Sequence, residues 1–285
     1  MPRVSVLMPI WNTREDHLRE AIESILNQTY KDFEFLILND SPDNTQLDAI
    51  VASYADARIC YVRNEKNVGI TPSRNKLLQM AEGEYLAIFD HDDISEPTRL
   101  ERQVAYLDAH PEVGVLGAGV QEFPKGKEVH YPETDEEIRM GLMWGCMVAH
   151  SAAMVRRDLL VKNGICYEEC FSPSEDYALW CRLIPFTKFY NLPEVLFRYR
   201  LHANNTSKSQ ANKMERATYA IRSFVAADNP ALYKEYLMRA VHTTRVRLFG
   251  FLPLLKIVRR GIRVKVYLFD CIPLYTAKTV IKMPQ

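Results

Sequence analysis

The chain has 285 residues, 47% apolar and 25% charged, with 36 basic and 36 acidic side chains. That length allows one large domain or a domain with an appendage, and the composition is ordinary for a globular protein. A net charge of zero gives no reason to expect a nucleic-acid partner, but residues 239–285 hold ten Lys/Arg against one acid, Asp270, so that segment is +9 and residues 1–238 are −9.

Met1-Pro2-Arg3 leads straight into the apolar, β-branched run Val4–Ile10, so a first strand is expected there and no signal peptide. Thr13-Arg14-Glu15-Asp16 resembles a capping box with an acid in place of Glu or Gln, and Leu18, Ala21, Ile22, Ile25 and Leu26 follow at helical spacing. Phe33–Asn39 is a second strand, Asp40-Ser41-Pro42-Asp43-Asn44 a turn, Leu47 to Tyr54 a helix and Ile59–Val62 a third strand. Thr71-Pro72 reads as an N-cap with proline at the first helical position, and Gly83 closes that helix. Tyr85–Phe89 is a fourth strand. Strands alternating with helices imply a parallel sheet with helices on both faces.

After Pro97 the chain reads as a helix (Leu100, Val104, Leu107), a strand (Val113–Val120), a strand (Met147–Arg156), a helix (Glu175–Leu183) and a strand (Val195–Leu201). Two long helices are expected over Ser209–Asp228 and Ala231–Leu248, with no internal repeat. The six cysteines show no disulfide or zinc framework, which suits reduced thiols in a cytosolic protein. No uncharged apolar run reaches the roughly 18–20 residues that span a bilayer.

The strand Tyr85–Phe89 runs into Asp90-His91-Asp92-Asp93. If the chain stays extended, Asp90 and Asp92 fall on one side, since side chains alternate with period two. Two converging carboxylates suit a hard divalent cation shared with substrate phosphates; equally, such acids can form a solvated loop. No Gly-x-Gly-x-x-Gly follows the first strand, which argues against a dehydrogenase-type dinucleotide fold. Asp40, at a carboxyl strand end, can accept hydrogen bonds from a base or ribose, or simply form a turn. Asn64, Asn67, Gly69 and Ser73-Arg74-Asn75 make a polar loop and helix start of the kind that suits phosphate, or that merely caps a helix.

Together these blocks resemble glycosyltransferase family 2. The matching segments are Met8-Pro9-Ile10-Trp11-Asn12, Asn39-Asp40-Ser41, Asn67-Val68-Gly69, Arg74-Asn75, Asp90-His91-Asp92-Asp93, Ser174-Glu175-Asp176-Tyr177 and Tyr199-Arg200-Leu201-His202. They cover roughly residues 3–210 in the family's order. Trp11 and His91 depart from the commoner residues without removing a ligand.

The resemblance implies an α/β protein of the GT-A fold: a mostly parallel nucleotide-binding sheet flanked by helices, followed here by a C-terminal helical basic segment. A catalytic domain is expected over 1–238, with a nucleotide half near 1–120, an acceptor half near 121–210 and then helices; the basic apolar segment over 239–285 lies outside the resemblance. The resemblance further implies a UDP-sugar donor, Mn²⁺ or Mg²⁺, inversion at the anomeric carbon, and transfer of a hexose or N-acetylhexosamine to a glycan or lipid-linked glycan in surface polysaccharide or lipopolysaccharide synthesis. Position by position, Pro9, Asn12 and Asp40 would hold uracil and ribose. Asn67, Gly69 and Arg74 would border the nucleotide, and Asp90 would face the ribose and metal. Asp92 and His202 would bind the metal, and Asp176 would be the base. Glu175 and His150 would lie on the acceptor side.

The basic, apolar tail suggests peripheral attachment to the inner face of the plasma membrane through anionic lipid; the same residues also suit helices packed on the domain. The competing functional readings are a catalytically silent nucleotide-sugar-binding protein of the same fold and a nucleotidyltransferase. The Glu175-Asp176 block has no place in the latter.

Overall fold

The computed structural model describes residues 1–202 and 209–239 in full, and the strand backbones 241–248, 252–260, 263–268 and 272–278. The chain divides into two compact units, Met1–Ser223 and Phe224–Gln285.

The first unit opens with β1 (Val4–Ile10), α1 (Glu15–Leu26), β2 (Phe33–Asn39), α2 (Thr45–Ala52), β3 (Ile59–Arg63), α3 (Ile70–Met80) and β4 (Tyr85–Ile88). It continues through β5 (Ile94–Ser95), α4 (Arg99–Ala109), β6 (Val113–Phe123), β7 (Lys127–Val129), α5 (Asp135–Leu142), β8 (Met154–Arg156), α6 (Arg157–Asn163), α7 (Glu175–Leu183), β9 (Lys188–Arg200) and the greater part of α8 (Ala211–Asp228), whose last residues, from Phe224, belong to the second unit. The strands form one sheet in the order β3-β2-β1-β4-β8-β6-β9-β5, with β7 paired to β6. β1, β2, β3 and β4 are parallel, β8 is antiparallel to β4 and β6, and β6 is parallel to β9. The expected mostly parallel α/β architecture is present.

Every residue of β1 is buried, which explains its unbroken apolar character: a parallel strand covered on both faces has no side to give to water. α1 turns Leu18, Ala21, Ile22 and Ile25 onto this sheet, each fully buried and contributing about 1.5–3 kcal/mol for a Leu- or Ile-sized side chain. β1 has β2 on one side and β4 on the other, so the strand order reverses beside it. The carboxyl ends of β1, β2, β3 and β4 therefore open onto one crevice, the usual ligand position of such sheets.

Several local expectations are corrected. Thr13 does not cap α1: the N-cap is Arg14 without a side-chain cap bond, and the Thr13 hydroxyl meets His91 Nδ1 at 2.9 Å. A true capping box lies instead at Thr134 and Glu137, at the start of the unforeseen helix α5. α3 begins at Ile70 behind Gly69, whose φ of 90° lies in the left-handed region open to glycine, so Thr71-Pro72 sits inside the first turn. Only Met154–Arg156 of the expected 147–156 strand is extended, because His150–Ala152 forms a short 3-10 turn. The expected strand 195–201 is longer toward its start, running from Lys188.

In the second unit the helix over 231–248 stops early. α9 (Pro230–Arg239) is followed by β10 (Val241–Leu248), β11 (Leu252–Arg260), β12 (Arg263–Leu268) and β13 (Ile272–Lys278), an antiparallel sheet in chain order. The basic segment past Arg239 is thus strand, not helix, in its described residues. The physical reason is legible afterwards: Thr244-Arg245-Val246-Arg247-Leu248 and Arg263-Val264-Lys265-Val266 alternate with period two and are rich in β-branched residues.

The segment also contains the repeat that was not expected. Arg245-Val246-x-Leu248-Phe249-x-x-Leu252-Pro253-Leu254 recurs twenty residues later as Lys265-Val266-x-Leu268-Phe269-x-x-Ile272-Pro273-Leu274. The pairing repeats with it: Arg247 faces Pro253 and Leu248 faces Leu252, as Tyr267 faces Pro273 and Leu268 faces Ile272. The register shift also recurs, between Val246 and Arg247 and between Val266 and Tyr267.

Among the described residues no helix is long and apolar enough to cross a membrane, and the cysteines at 60, 146, 166, 170 and 181 are free.

Candidate active site

The crevice is built first from the end of β1. Pro9 pairs in register with Leu38, and Asn12 takes a φ of 44°, the one non-glycine among the described residues with positive φ. Its N–H donates to Ser41 Oγ at 2.8 Å, and the Ser41 N–H donates to Asn39 Oδ1 at 2.8 Å, which locks the ends of β1 and β2 together. Asp40 is buried. Its Oδ1 accepts from Asn64 Nδ2 at 2.8 Å and from the Val68 N–H at 3.0 Å, and its Oδ2 accepts from the Gly69 N–H at 2.8 Å. Asp40 therefore holds the 64–69 loop in shape, and a base or ribose could use only the capacity left on that carboxylate. Asn67, Val68 and Ile70 are exposed along the rim.

The chain does not stay extended after Phe89. The Asp93 N–H turns back to the Asp90 carbonyl at 3.4 Å, so Asp90 and Asp92 leave the strand period and find different partners. Asp90 Oδ1 accepts from Arg74 Nη2 at 3.1 Å, and its Oδ2 accepts a short hydrogen bond from the Ser151 hydroxyl. Burial pushes the Asp90 carboxyl up, but the Arg74 guanidinium and the Ser151 hydroxyl outweigh it and hold it down to about 2. Arg74 also reaches across the crevice: its Nη1 donates to Glu175 Oε1 at 2.6 Å. Among the described residues Arg74 Nε and Glu175 Oε2 are buried without a hydrogen-bond partner.

Asp176 follows in the first turn of α7. Its position at a helix start would keep it ionised, yet its carboxyl is pushed up to about 6 by burial first and the negative Glu175 second, with the Tyr177 N–H and Arg74 pulling the other way. That value places a carboxylate near neutrality, where a general base works best. His150 is buried rather than open to an acceptor. Its Nε2 meets the Tyr167 hydroxyl at 2.8 Å, and burial followed by the Arg74 charge pushes it down to about 3, so it is neutral. Tyr167 is fixed in turn by Asn75, which donates to the Tyr167 carbonyl and accepts from its N–H, both at 2.9 Å.

The third cluster joins the acidic turn to the end of β9. His202 Nε2 lies 2.6 Å from Asp92 Oδ2. Arg200 Nε donates to the Asp92 carbonyl at 2.6 Å, and the Arg200 N–H donates to Asp93 Oδ1 at 2.8 Å. The His17 ring sits 6.0 Å from that of His202. Asp93 is buried, and burial, with Asp92 and Asp90 adding to it, pushes its carboxyl well up, which makes it a structural tie and a poor ligand. Asp92 and His202 converge on one point with a carboxylate oxygen and an imidazole nitrogen, a donor pair that suits Mn²⁺ or Mg²⁺ when diphosphate oxygens complete the shell. No group of three or more His, Cys, Asp or Glu able to hold a metal occurs among the described residues.

Beyond Asp176 lies a surface that sequence reading missed. Trp144 is 53% exposed. The Arg222 guanidinium lies 3.8 Å from the centre of its ring and donates from Nε to the Trp144 carbonyl at 2.6 Å, with Tyr219 alongside. The Tyr177 hydroxyl donates to the Leu142 carbonyl at 2.7 Å, tying α7 to this segment. Cys146, two residues on, is pushed up by burial first and then by the Asp176 charge. Trp144 carried no motif, and the tie between its segment and α7 comes from packing alone.

The chain matches the family described as Glycosyl transferase family 2 over residues 5–164. It is 35% identical over 226 residues to an uncharacterised glycosyltransferase of Methanocaldococcus jannaschii, covering 76% of this chain and 77% of that one. It is 30% identical over 233 residues to the O-antigen biosynthesis glycosyltransferase WbnJ of Escherichia coli, covering 78% of this chain and 89% of that one. Among solved structures, TarS of S. aureus in complex with UDP-GlcNAc shares the fold, with a TM-score of 0.68, 20% identity and coverage of 83% of this chain and 72% of that one. The mannosyltransferase PcManGT of Pyrobaculum calidifontis, in complex with GDP-Man and Mn²⁺, has a TM-score of 0.57 at 17% identity, covering 81% and 75%.

Proposed function

The chain belongs to glycosyl transferase family 2, and from that membership we propose that it moves a hexose or N-acetylhexosamine from a UDP-sugar to a hydroxyl of a glycan acceptor, with inversion, in surface polysaccharide or lipopolysaccharide synthesis. The observation that carries this reading is Asp176, a carboxylate pushed up to about 6 at the start of α7, next to the Glu175 that Arg74 ties to Asp90; in this reading it faces the acceptor, and Asp40, Asp90 and the Asp92–His202 pair face the donor. WbnJ supports the surface-glycan setting, and the UDP-GlcNAc carried by TarS supports the donor class.

In this mechanism the acceptor hydroxyl docks within hydrogen-bond reach of Asp176. Its oxygen attacks the anomeric carbon from the face opposite the nucleotide. The new glycosidic C–O bond forms as the bond from that carbon to the β-phosphate oxygen breaks, and the electron pair leaves with the nucleoside diphosphate. The hydroxyl proton passes to the Asp176 carboxylate. Arg74 stays paired to Asp90 and Glu175, which keeps the crevice walls at fixed separation and adds positive charge beside the donor. Asp92 and His202 would hold Mn²⁺ or Mg²⁺, which supplies Lewis-acid neutralisation of the charge developing on the diphosphate.

A thermal-shift panel of UDP, GDP, CMP and common UDP-sugars, each with and without Mn²⁺, tests the donor class, because a ligand that binds only the folded state raises the melting temperature. A Mn²⁺-dependent shift with UDP and one UDP-sugar is expected. A shift with GDP and none with UDP would replace the donor assignment.

A further inference from the structure

The register of the C-terminal sheet sorts its charges. Antiparallel partners share a face, and residues two apart along a strand return to it. By this rule Arg245, Arg247, Lys256, Arg260, Arg263, Lys265 and Lys278 all fall on one face of the sheet formed by β10, β11, β12 and β13. Among the described residues of these strands only Arg259 among the lysines and arginines falls on the other face, which otherwise collects positions such as Val246, Leu255, Ile257, Val264, Val266 and Leu268. No Asp or Glu occurs in any of the four strands. The tandem repeat explains the sorting: Arg245 and Lys265 stand twenty residues apart with matching pairing, so a basic position in one hairpin meets its counterpart on the same face in the next.

We infer that this basic face attaches the protein to an anionic lipid bilayer. Juxtaposed Lys and Arg are drawn to the surface potential of such a membrane, each adding to the binding. The sequence between the paired strands favours lipid over nucleic acid. In the sequence, Phe249-Gly250-Phe251 follows β10 and Phe269-Asp270-Cys271 follows β12, where polar residues are the ordinary choice between paired strands. Aromatic residues interleaved in sequence with a polybasic segment suit the headgroup boundary, where an apolar group gains from burial while the charges meet phosphates. The inference stands apart from the donor and base assignments and would hold for a silent member of the family.

The test is flotation of the full-length protein with vesicles of phosphatidylcholine alone and of phosphatidylcholine with phosphatidylglycerol. Binding is expected only to the second, and it should fall steeply as salt is raised from 50 to 500 mM. Lys265→Glu and Arg259→Glu change the net charge equally but lie on opposite faces. Lys265→Glu is expected to weaken binding to the anionic vesicles about fivefold or more, and Arg259→Glu less than twofold. Equal binding to both vesicle types overturns recognition of anionic lipid by the basic face, and binding to neither overturns membrane attachment. Equal loss in the two variants leaves attachment standing and overturns the one-sided face. Displacement from the vesicles by a poly(U) competitor at lower concentration than by inositol phosphates assigns the face to nucleic acid instead. Circular dichroism melts of each variant identify one that fails to fold, and the salt dependence of the unaltered protein decides the question without them.

Discussion

Arg74 Nη1 and Glu175 Oε1 meet at 2.6 Å across 101 residues of sequence, and Arg74 Nη2 meets Asp90 in the same crevice. One guanidinium thus fastens the helix after the third strand to both the acidic turn and the helix of the proposed base. Removing it strands two carboxylates, one of them, Glu175, only 4% exposed at its side chain. Arg74→Ala is expected to cost about 3–5 kcal/mol, the usual penalty for breaking a buried ion pair by deleting one partner. Denaturant unfolding measures this directly. A double-mutant cycle with Glu175→Gln should return a coupling above about 1 kcal/mol, and a coupling near zero would remove the pair as a structural tie.

Asp176→Asn is expected to lower transfer by about 10²–10⁴-fold, the usual contribution of a general base, while leaving the melting-temperature shift with UDP and Mn²⁺ in place. In the unaltered protein, kcat/KM should rise with pH through about 6 and level off above it, because only the ionised carboxylate can accept the proton. Turnover close to normal in the variant, or a rate that falls across that range, would point to a different base.

The same residue has a stability signature of opposite sign to its catalytic one. Its folded value, about 6, lies above the ordinary 3.8, so the folded state holds a proton that the unfolded state has released between those values. Folding stability therefore declines as pH rises through that window and stays lower above it. Asp176→Asn removes this penalty, so the variant should melt higher than the parent at pH 7.5 and equal to it at pH 3.5. Paired calorimetric scans at the two pH values provide the check.

Chelation and ligand removal should act through Asp92 and His202. EDTA is expected to abolish transfer and Mn²⁺ to restore it, and Asp92→Asn or His202→Ala should each cost about a hundredfold in kcat when metal is limiting. Electron paramagnetic resonance of bound Mn²⁺ reads the same loss without relying on activity. Unaltered Mn²⁺ affinity in both variants would place the metal elsewhere.

Trp144→Ala should raise the acceptor KM by about threefold to tenfold, as expected for loss of an aromatic stacking surface, with the donor KM within twofold of the parent. Trp144→Phe should recover much of the difference. A matching rise in donor KM would mean that the substitution disturbs the crevice as a whole.

Much of this protein was determined by local sequence. The apolar runs Val4–Ile10, Phe33–Asn39 and Tyr85–Phe89 specify buried strands because a strand covered on both faces must be apolar throughout, and the alternation with amphipathic helices then leaves few topologies. Once those strands lie parallel, the residues at their carboxyl ends, Asp40 and Asp90 among them, are bound to share a crevice. Asp92, Asp176 and His202 were identifiable as residue types in recognisable blocks. Their relations were not, because they depend on contacts across more than a hundred residues: His202 closing on Asp92, Arg74 spanning Asp90 and Glu175, and burial rather than the helix dipole setting the level of Asp176. His150 looked like an acceptor group and is a neutral, enclosed partner of Tyr167, a fact held by packing and not by spacing. In the C-terminal segment the twenty-residue repeat was present in the letters, but only strand register shows that it gathers basic positions on one face, since a period of two acquires a direction only when each strand is paired to the next.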